Sequence, residues 1–281
     1  MEPVRFIRTF GLAICLTVLP IEKAALGSPS FSSPVNRHRL DVANAFISAT
    51  ENLAKLSKDL QAISVAENLR RNAIISYPYQ DYLMTLQINA GTTQKNFRLV
   101  PILPEDESSQ MIRQYMPKGA AAKYSVGIKV LWIWDRTLSE FWKALLGLHE
   151  GLHTMQSPSE TPWAWCQCEY EAFNLQRRVL YGVSGPKYRK LMAKHVAELQ
   201  AEYKKTSGIT QSGDYDMRWN AIFGKPLNAE EQQNRQTLLS FSAIIEALQK
   251  ILEPGKHKKD LEIYNFCKLY QKVGQDAMKQ K

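Results

Sequence analysis

The sequence predicts an α+β fold, predominantly helical with a small sheet, and three observations carry that prediction. Apolar residues recur at helical spacing up to about Ala73 and again from Trp163 to near the end. Short β-branched and aromatic runs are confined to residues 82–134. The last of these runs leads straight into a segment that opens with a helix-start signal. Hydrophobic residues make up 44% and charged residues 22% of the 281 positions, values that suit a packed core and exclude a collagen-like or disordered chain. One main domain over residues 40–281 is the simplest division, because a single core typically serves about 100–200 residues.

Residues 1–27 have the layout of a secretory signal peptide. Arg5 and Arg8 give a basic start, residues 10–20 an apolar run, and Ala24-Ala25-Leu26-Gly27 a small-residue end. The run is shorter than the roughly 20 residues that span a bilayer, so an uncleaved membrane anchor is the alternative. The chain is therefore expected to be exported, either periplasmic or secreted. Its formal charge is +9, and removing residues 1–27 takes away three basic and two acidic side chains, leaving +8. Lys187, Lys190 and Lys194 fall on one helical face, which suits a solvated surface, with peripheral contact to an anionic envelope surface as the alternative. No nucleic acid is expected as a partner, because no arginine-rich or aromatic recognition motif accompanies the charge.

Residues 28–39, rich in Ser and Pro, read as a linker. Leu40, Ala43, Phe46, Ile47, Leu53, Leu56, Leu60 and Ile63 then keep helical spacing, predicting one or two amphipathic helices before Tyr77-Pro78-Tyr79 interrupts the pattern. Two strands are expected at Tyr82–Ile88 and 96–102, joined by a turn at residues 90–93, with a short helix near residues 108–115. Residues 124–134 read as the strongest strand. Thr137 and Glu140 make a capping box, so a helix is expected from about Leu138 to Gln156, with Ser157-Pro158 as its stop. Further helices are expected at 164–181, 186–205, 229–253 and 259–278. Breaks fall at 182–185, 208–213 and Pro254-Gly255.

Within the helix after the strongest strand stands His149-Glu150-Gly151-Leu152-His153. At about 100° per residue the two imidazoles lie about 40° apart, one above the other, as two nitrogen ligands of one zinc ion require. Glu150 lies beside the pair, where it can take a proton from a water on the metal. Only five histidines occur in the chain, so a chance match is rare. Gly147 and Gly151 sit directly behind the ligand face and each costs about 1 kcal/mol relative to alanine. Close approach of another backbone is expected to compensate. Gln156 returns to the ligand face, either bonding a ligand or substrate or lying solvated in a frayed turn.

A catalytic zinc commonly takes a third protein ligand, and Glu169 and Glu171 follow in the next helix. Trp165, Ala172, Phe173, Val179 and Leu180 fall within about 80° of Glu169, which places that carboxylate inside the apolar stripe. Glu171 shares its side with Gln167, Asn174 and Arg178, a solvated face. A buried carboxylate is costly unless paired or bound to metal. Glu169 is thus the expected ligand and Glu171 the alternative; a buried ion pair with an arginine is the competing role for Glu169. Outside the first 27 residues Cys166, Cys168 and Cys267 remain, and either Cys267 bridges to one of the other two or all three stay buried thiols. Tyr170, Tyr181, His195 and Tyr215 are available to stabilise an oxyanion, none at a diagnostic spacing. His195 reads as a surface histidine, and Trp163 and Trp165 as core residues, with lining of a substrate cleft between the two metal helices as the alternative.

His149-Glu150-Gly151-Leu152-His153 followed by Glu169 resembles the zincin superfamily of metallopeptidases, in its glutamate-ligand branch, the gluzincins. The resemblance spans about residues 124–180, ahead of a helical carboxy-terminal part at 186–281. It implies a mixed fold with the motif helix packed under an edge strand, His149, His153 and Glu169 on Zn2+, and Glu150 as general base while a zinc-bound water attacks a peptide bond. Several members of that branch place an Asp four residues after the ligand glutamate to orient a histidine; here that residue is Phe173. The expected function is a zinc metallopeptidase acting on a peptide or protein substrate. A non-catalytic, zinc-stabilised module of the cell envelope is the alternative, and an interaction protein with a chance motif, binding no metal, is a third.

Overall fold

The first helix, α1 (Pro34–Ser57), starts where Ser33 accepts a bond from the Asn36 amide and proline fills the first turn. It begins six residues ahead of Leu40, so the linker reading gives way over residues 34–39. Arg39 is buried there and pairs with Asp106, Nη2 to Oδ1 at 2.8 Å. Lys58 ends α1 in the left-handed region, and Asp59 caps α2 (Leu60–Asn72) by accepting from two amides. The computed structural model describes residues 33–79, 82–88, 95–116, 120–157, 161–205, 220, 222–252, 255 and 258–279. The expected signal peptide, the turn at 90–93, the break at 208–213 and Tyr215 lie outside them.

The sheet comprises β1 (Ala73–Tyr79), β2 (Tyr82–Ile88), β3 (Phe97–Ile102), β4 (Ala122–Ser125) and β5 (Val130–Trp134), in the order β2-β1-β3-β5-β4. β1 runs through the Pro78 at which the helical pattern stopped. Its parallel pairing to β3 ends at Ile75 with Leu99, so Pro78 lies where β1 has one neighbour and a missing N–H is tolerated. The expected single strand at 124–134 is a hairpin instead. A 3-10 turn at Val126–Ile128 and Lys129 at φ 52° reverse the chain, setting Ser125 opposite Val130. That reversal makes β4 an edge strand.

Alternation sends Phe97, Leu99, Leu131 and Ile133 to one face, where they join the main core with the helices. Val100, Ile102, Val130 and Trp132 go to the other, packing with Ile112 of α3 (Gln110–Tyr115) and Met116. The motif helix α4 (Glu140–His153) is capped by Ser139, whose Oγ accepts from Trp142 N, so the Thr137–Glu140 capping box does not form. Ser139 Oγ also donates to Glu231 Oε1 at 2.8 Å. The helix ends at His153, short of the expected Gln156. α5 (Pro162–Ser184), α6 (Pro186–Lys205), α7 (Ala229–Ile251) and α8 (Lys258–Lys279) complete a predominantly helical α+β fold. Among the described residues no helix is long and apolar enough to cross a membrane.

The two glycines of α4 meet side chains rather than a backbone. A Cβ on Gly147 would collide with Thr50 Oγ1 of α1, and one on Gly151 would sit 2.7 Å from Val65 Cγ1 of α2. Thr50 is fully buried and its hydroxyl is tied to Phe46 O, so it cannot swing aside freely. Gly147→Ala is therefore expected to destabilise the fold by about 1–2 kcal/mol, overpacking outweighing the gain in helix propensity. Combining it with Thr50→Ala should recover part of that loss in chemical denaturation. Strict additivity of the two changes would contradict the contact.

Candidate metal centre

The ends of two helices converge at one point. α4 presents His149 and His153 one turn apart, and α5 brings Glu169 opposite them, all three buried. Glu169 Oε2 lies 3.3 Å from His149 Nε2, and Oε1 lies 3.5 Å from His153 Nε2. One donor atom from each falls within 4.8 Å of the others, a group able to hold a metal ion. Ligands bound at about 2.0–2.1 Å in a tetrahedral shell stand about 3.3 Å apart. The spacing therefore suits a shared cation better than direct hydrogen bonds, and His153 Nε2 is buried without a hydrogen-bond partner. The competing role for Glu169 does not arise: Arg177 pairs with Glu246 and Arg178 with Asp59.

Two glutamines fix the imidazoles. Gln176 Nε2 donates to Leu145 O at 2.8 Å, which turns its Oε1 toward His149 Nδ1 at 3.3 Å. Gln156 Nε2 donates to Glu171 Oε2 at 2.9 Å, which turns its Oε1 toward His153 Nδ1 at 2.7 Å. Each carbonyl oxygen accepts from an Nδ1–H, so both Nε2 atoms face the carboxylate. Glu171 thus acts on His153 through Gln156 and does not join the cluster. Phe173, four residues after Glu169, packs edge-on against His149 with centroids 4.7 Å apart. Gln176, one turn further along α5, takes the orienting task for that histidine.

Charge is balanced within the cluster. Burial opposes ionisation of Glu169, yet the two imidazoles hold its carboxyl down at about 2. Burial likewise opposes a charged His153, but Glu169 and, more weakly, Glu150 and Gln156 raise it to about 9. Glu150 points away from the core, and its Oε2 accepts from the Tyr124 amide of β4 at 2.7 Å. The carboxylate next to the histidines is thereby anchored to the edge strand. Between that strand and the start of α5 opens a cleft of about 460 Å³, lined in part by Lys123, Val126, Ile128, His153 and Trp165.

Several side chains depart from expectation. Trp163 and Trp165 are 41% and 45% exposed rather than in the core, and Trp165 takes the alternative role, lining the cleft and stacking on His153. His195 is buried, not on the surface, and burial lowers it to about 4. Tyr170 donates to Glu262 within the core, and Tyr181 packs on Tyr188. Of the two readings for the cysteines, free thiols hold, with Cys166 and Cys267 buried and Cys168 half-buried; burial and the neighbouring Cys166 push Cys267 up. Tyr270 of α8 was not singled out from the sequence. Burial raises its phenol first, and the charges of Glu169, Cys166 and Glu150 raise it further, which places it in the field of the site. Comparison with protein-family models, curated proteins and solved structures finds no match to this chain.

A cation binding at His153 Nε2 must displace the proton held there up to about pH 9, well above the ordinary 6.5. Glu169, at about 2, stays charged throughout the neutral range. Zinc affinity, measured by chelator competition, should therefore rise about tenfold per pH unit below 9 for this one proton. A pH-independent affinity would contradict the assignment. Gln176→Leu or Gln156→Leu should weaken zinc binding by about 10- to 100-fold.

Proposed function

We propose that the chain is an exported zinc-dependent peptide-bond hydrolase of the zincin type, with His149, His153 and Glu169 as metal ligands and Glu150 as general base. The observation that carries this reading is the buried His149–His153–Glu169 cluster opening directly onto a cleft through His153. Structural zinc sites are closed by four protein ligands, whereas catalytic sites leave a position free. Three converging protein donors beside an open cleft therefore favour catalysis over a purely stabilising metal. The exported setting rests on the signal-like sequence of residues 1–27.

A zinc ion bound there supplies Lewis acidity, polarising a substrate carbonyl and making water acidic. Glu150 takes the proton of the attacking water and delivers it to the leaving amine, a transfer that needs a carboxylate held in place. The Tyr124 amide holds it. β4 contributes an edge alongside which an extended peptide can lie.

Glu150→Gln should retain zinc and lower kcat on a general peptide substrate by about a hundred- to ten-thousandfold. Hydrolysis that survives Glu150→Gln at the wild-type rate would remove the base from the proposal. A metal-loaded wild-type chain that cleaves no peptide would favour the non-catalytic zinc-stabilised module.

A further inference from the structure

The walls of the cleft are mainly apolar and aromatic, with Tyr115, Val126, Ile128 and Trp165 among them. Lys123 is the one lysine or arginine among the described residues that line it. Strand register explains its position. Lys123 pairs with Trp132 across β4 and β5, so the two side chains share a face of the sheet. Trp132 is fully buried there and stacks on Tyr115, with centroids 6.1 Å apart. The lysine thus stands beside an aromatic floor, at the edge strand that also holds Glu150.

Half-burial lowers the pKa of the ammonium, and the Glu150 carboxylate raises it again. Glu150 Oε2 is bonded to the Tyr124 amide, and among the described residues no ion pair joins Lys123 to any carboxylate. A cation partly removed from water in an apolar cleft is costly without a partner. A carboxylate arriving with the substrate would supply one through a charge-assisted bond. We infer that Lys123 is the specificity-determining residue of this cleft and binds a substrate carboxylate, carried by an acidic side chain or by a free C-terminus. The inference rests on the peptidase reading above and narrows it to carboxylate-bearing peptides.

The test uses the zinc-loaded full chain and quenched fluorescent peptides of one sequence, with Asp, Asn or Lys at a single position near the cleavage point. Each is made with a free and an amidated C-terminus, which separates the two carboxylate sources. KM is expected to be about tenfold lower for the carboxylate that Lys123 reads. Lys123→Met should remove that difference, Lys123→Arg keep it, and Lys123→Glu invert it in favour of Lys, all at wild-type zinc content. Anisotropy binding of labelled peptides to zinc-loaded Glu150→Gln protein should give the same ranking without turnover. Equal KM across the set, or a ranking untouched by Lys123→Met, overturns the inference. So does a shift of the kcat pH profile common to every peptide in Lys123→Met, because it would place the effect on Glu150. Intact ranking in the binding assay with no hydrolysis of any peptide would contradict the peptidase reading while upholding the carboxylate site.

Discussion

A carboxylate buried between two imidazoles is the constraint around which this molecule is arranged. Glu169 lies on the apolar stripe of α5 and is 5% exposed, a position that strongly disfavours an isolated negative charge. His149 and His153 offset that cost, and each needs its own orientation to do so. Gln176 and Gln156 provide it, and Glu171 stands behind Gln156. Six polar side chains thus form one connected network in which every orientation depends on the next. Replacing one member leaves a buried group without its partner, usually more costly than the net worth of the bond itself.

The rest of the fold holds α4 and α5 at the separation this network requires. Behind α4, the missing side chains of Gly147 and Gly151 admit Thr50 and the Val65–Leu69 pair, so α1 and α2 press close. At its start, Ser139 is clasped by Glu231, which is fully buried and paired with Arg235 at 2.8 Å. That clasp ties α7 to the first turn of the motif helix. On the open side, Glu150 is bonded to the backbone of β4, so the hairpin of β4 and β5 sets how wide the cleft stands. One short edge strand carries both the anchor of Glu150 and, one residue away, Lys123.

Much of this arrangement can be read from local pattern. Long helices announce themselves by period, and Glu169 is distinguishable from Glu171 because a carboxylate inside an apolar stripe needs a reason. Gln176 leaves the same kind of trace, a polar residue about 20° from Glu169 on that stripe, and it could have been found by the same logic. Other features depend on distant parts of the chain. Pro78 is tolerated in β1 only because pairing with β3 has already ended. Ser139 outranks Thr137 as the cap in a site where Glu231, 92 residues on, receives its hydroxyl. Trp165 shares the apolar stripe of α5 but sits in its first turn, beyond the core, and so faces the cleft. Tyr270 reaches the field of the site from another helix, and no spacing within the sequence points to it.

X-ray absorption at the zinc edge of the full chain loaded with one equivalent of Zn2+ is the most direct test of the buried cluster. Nitrogen and oxygen donors at about 2.0–2.2 Å, with the scattering signature of two imidazoles and no sulfur, are the expected result. Cys168 lines the same cleft, so a rival ligand set is available to the ion. A sulfur shell at about 2.3 Å, or fewer than two imidazoles, would contradict the site described.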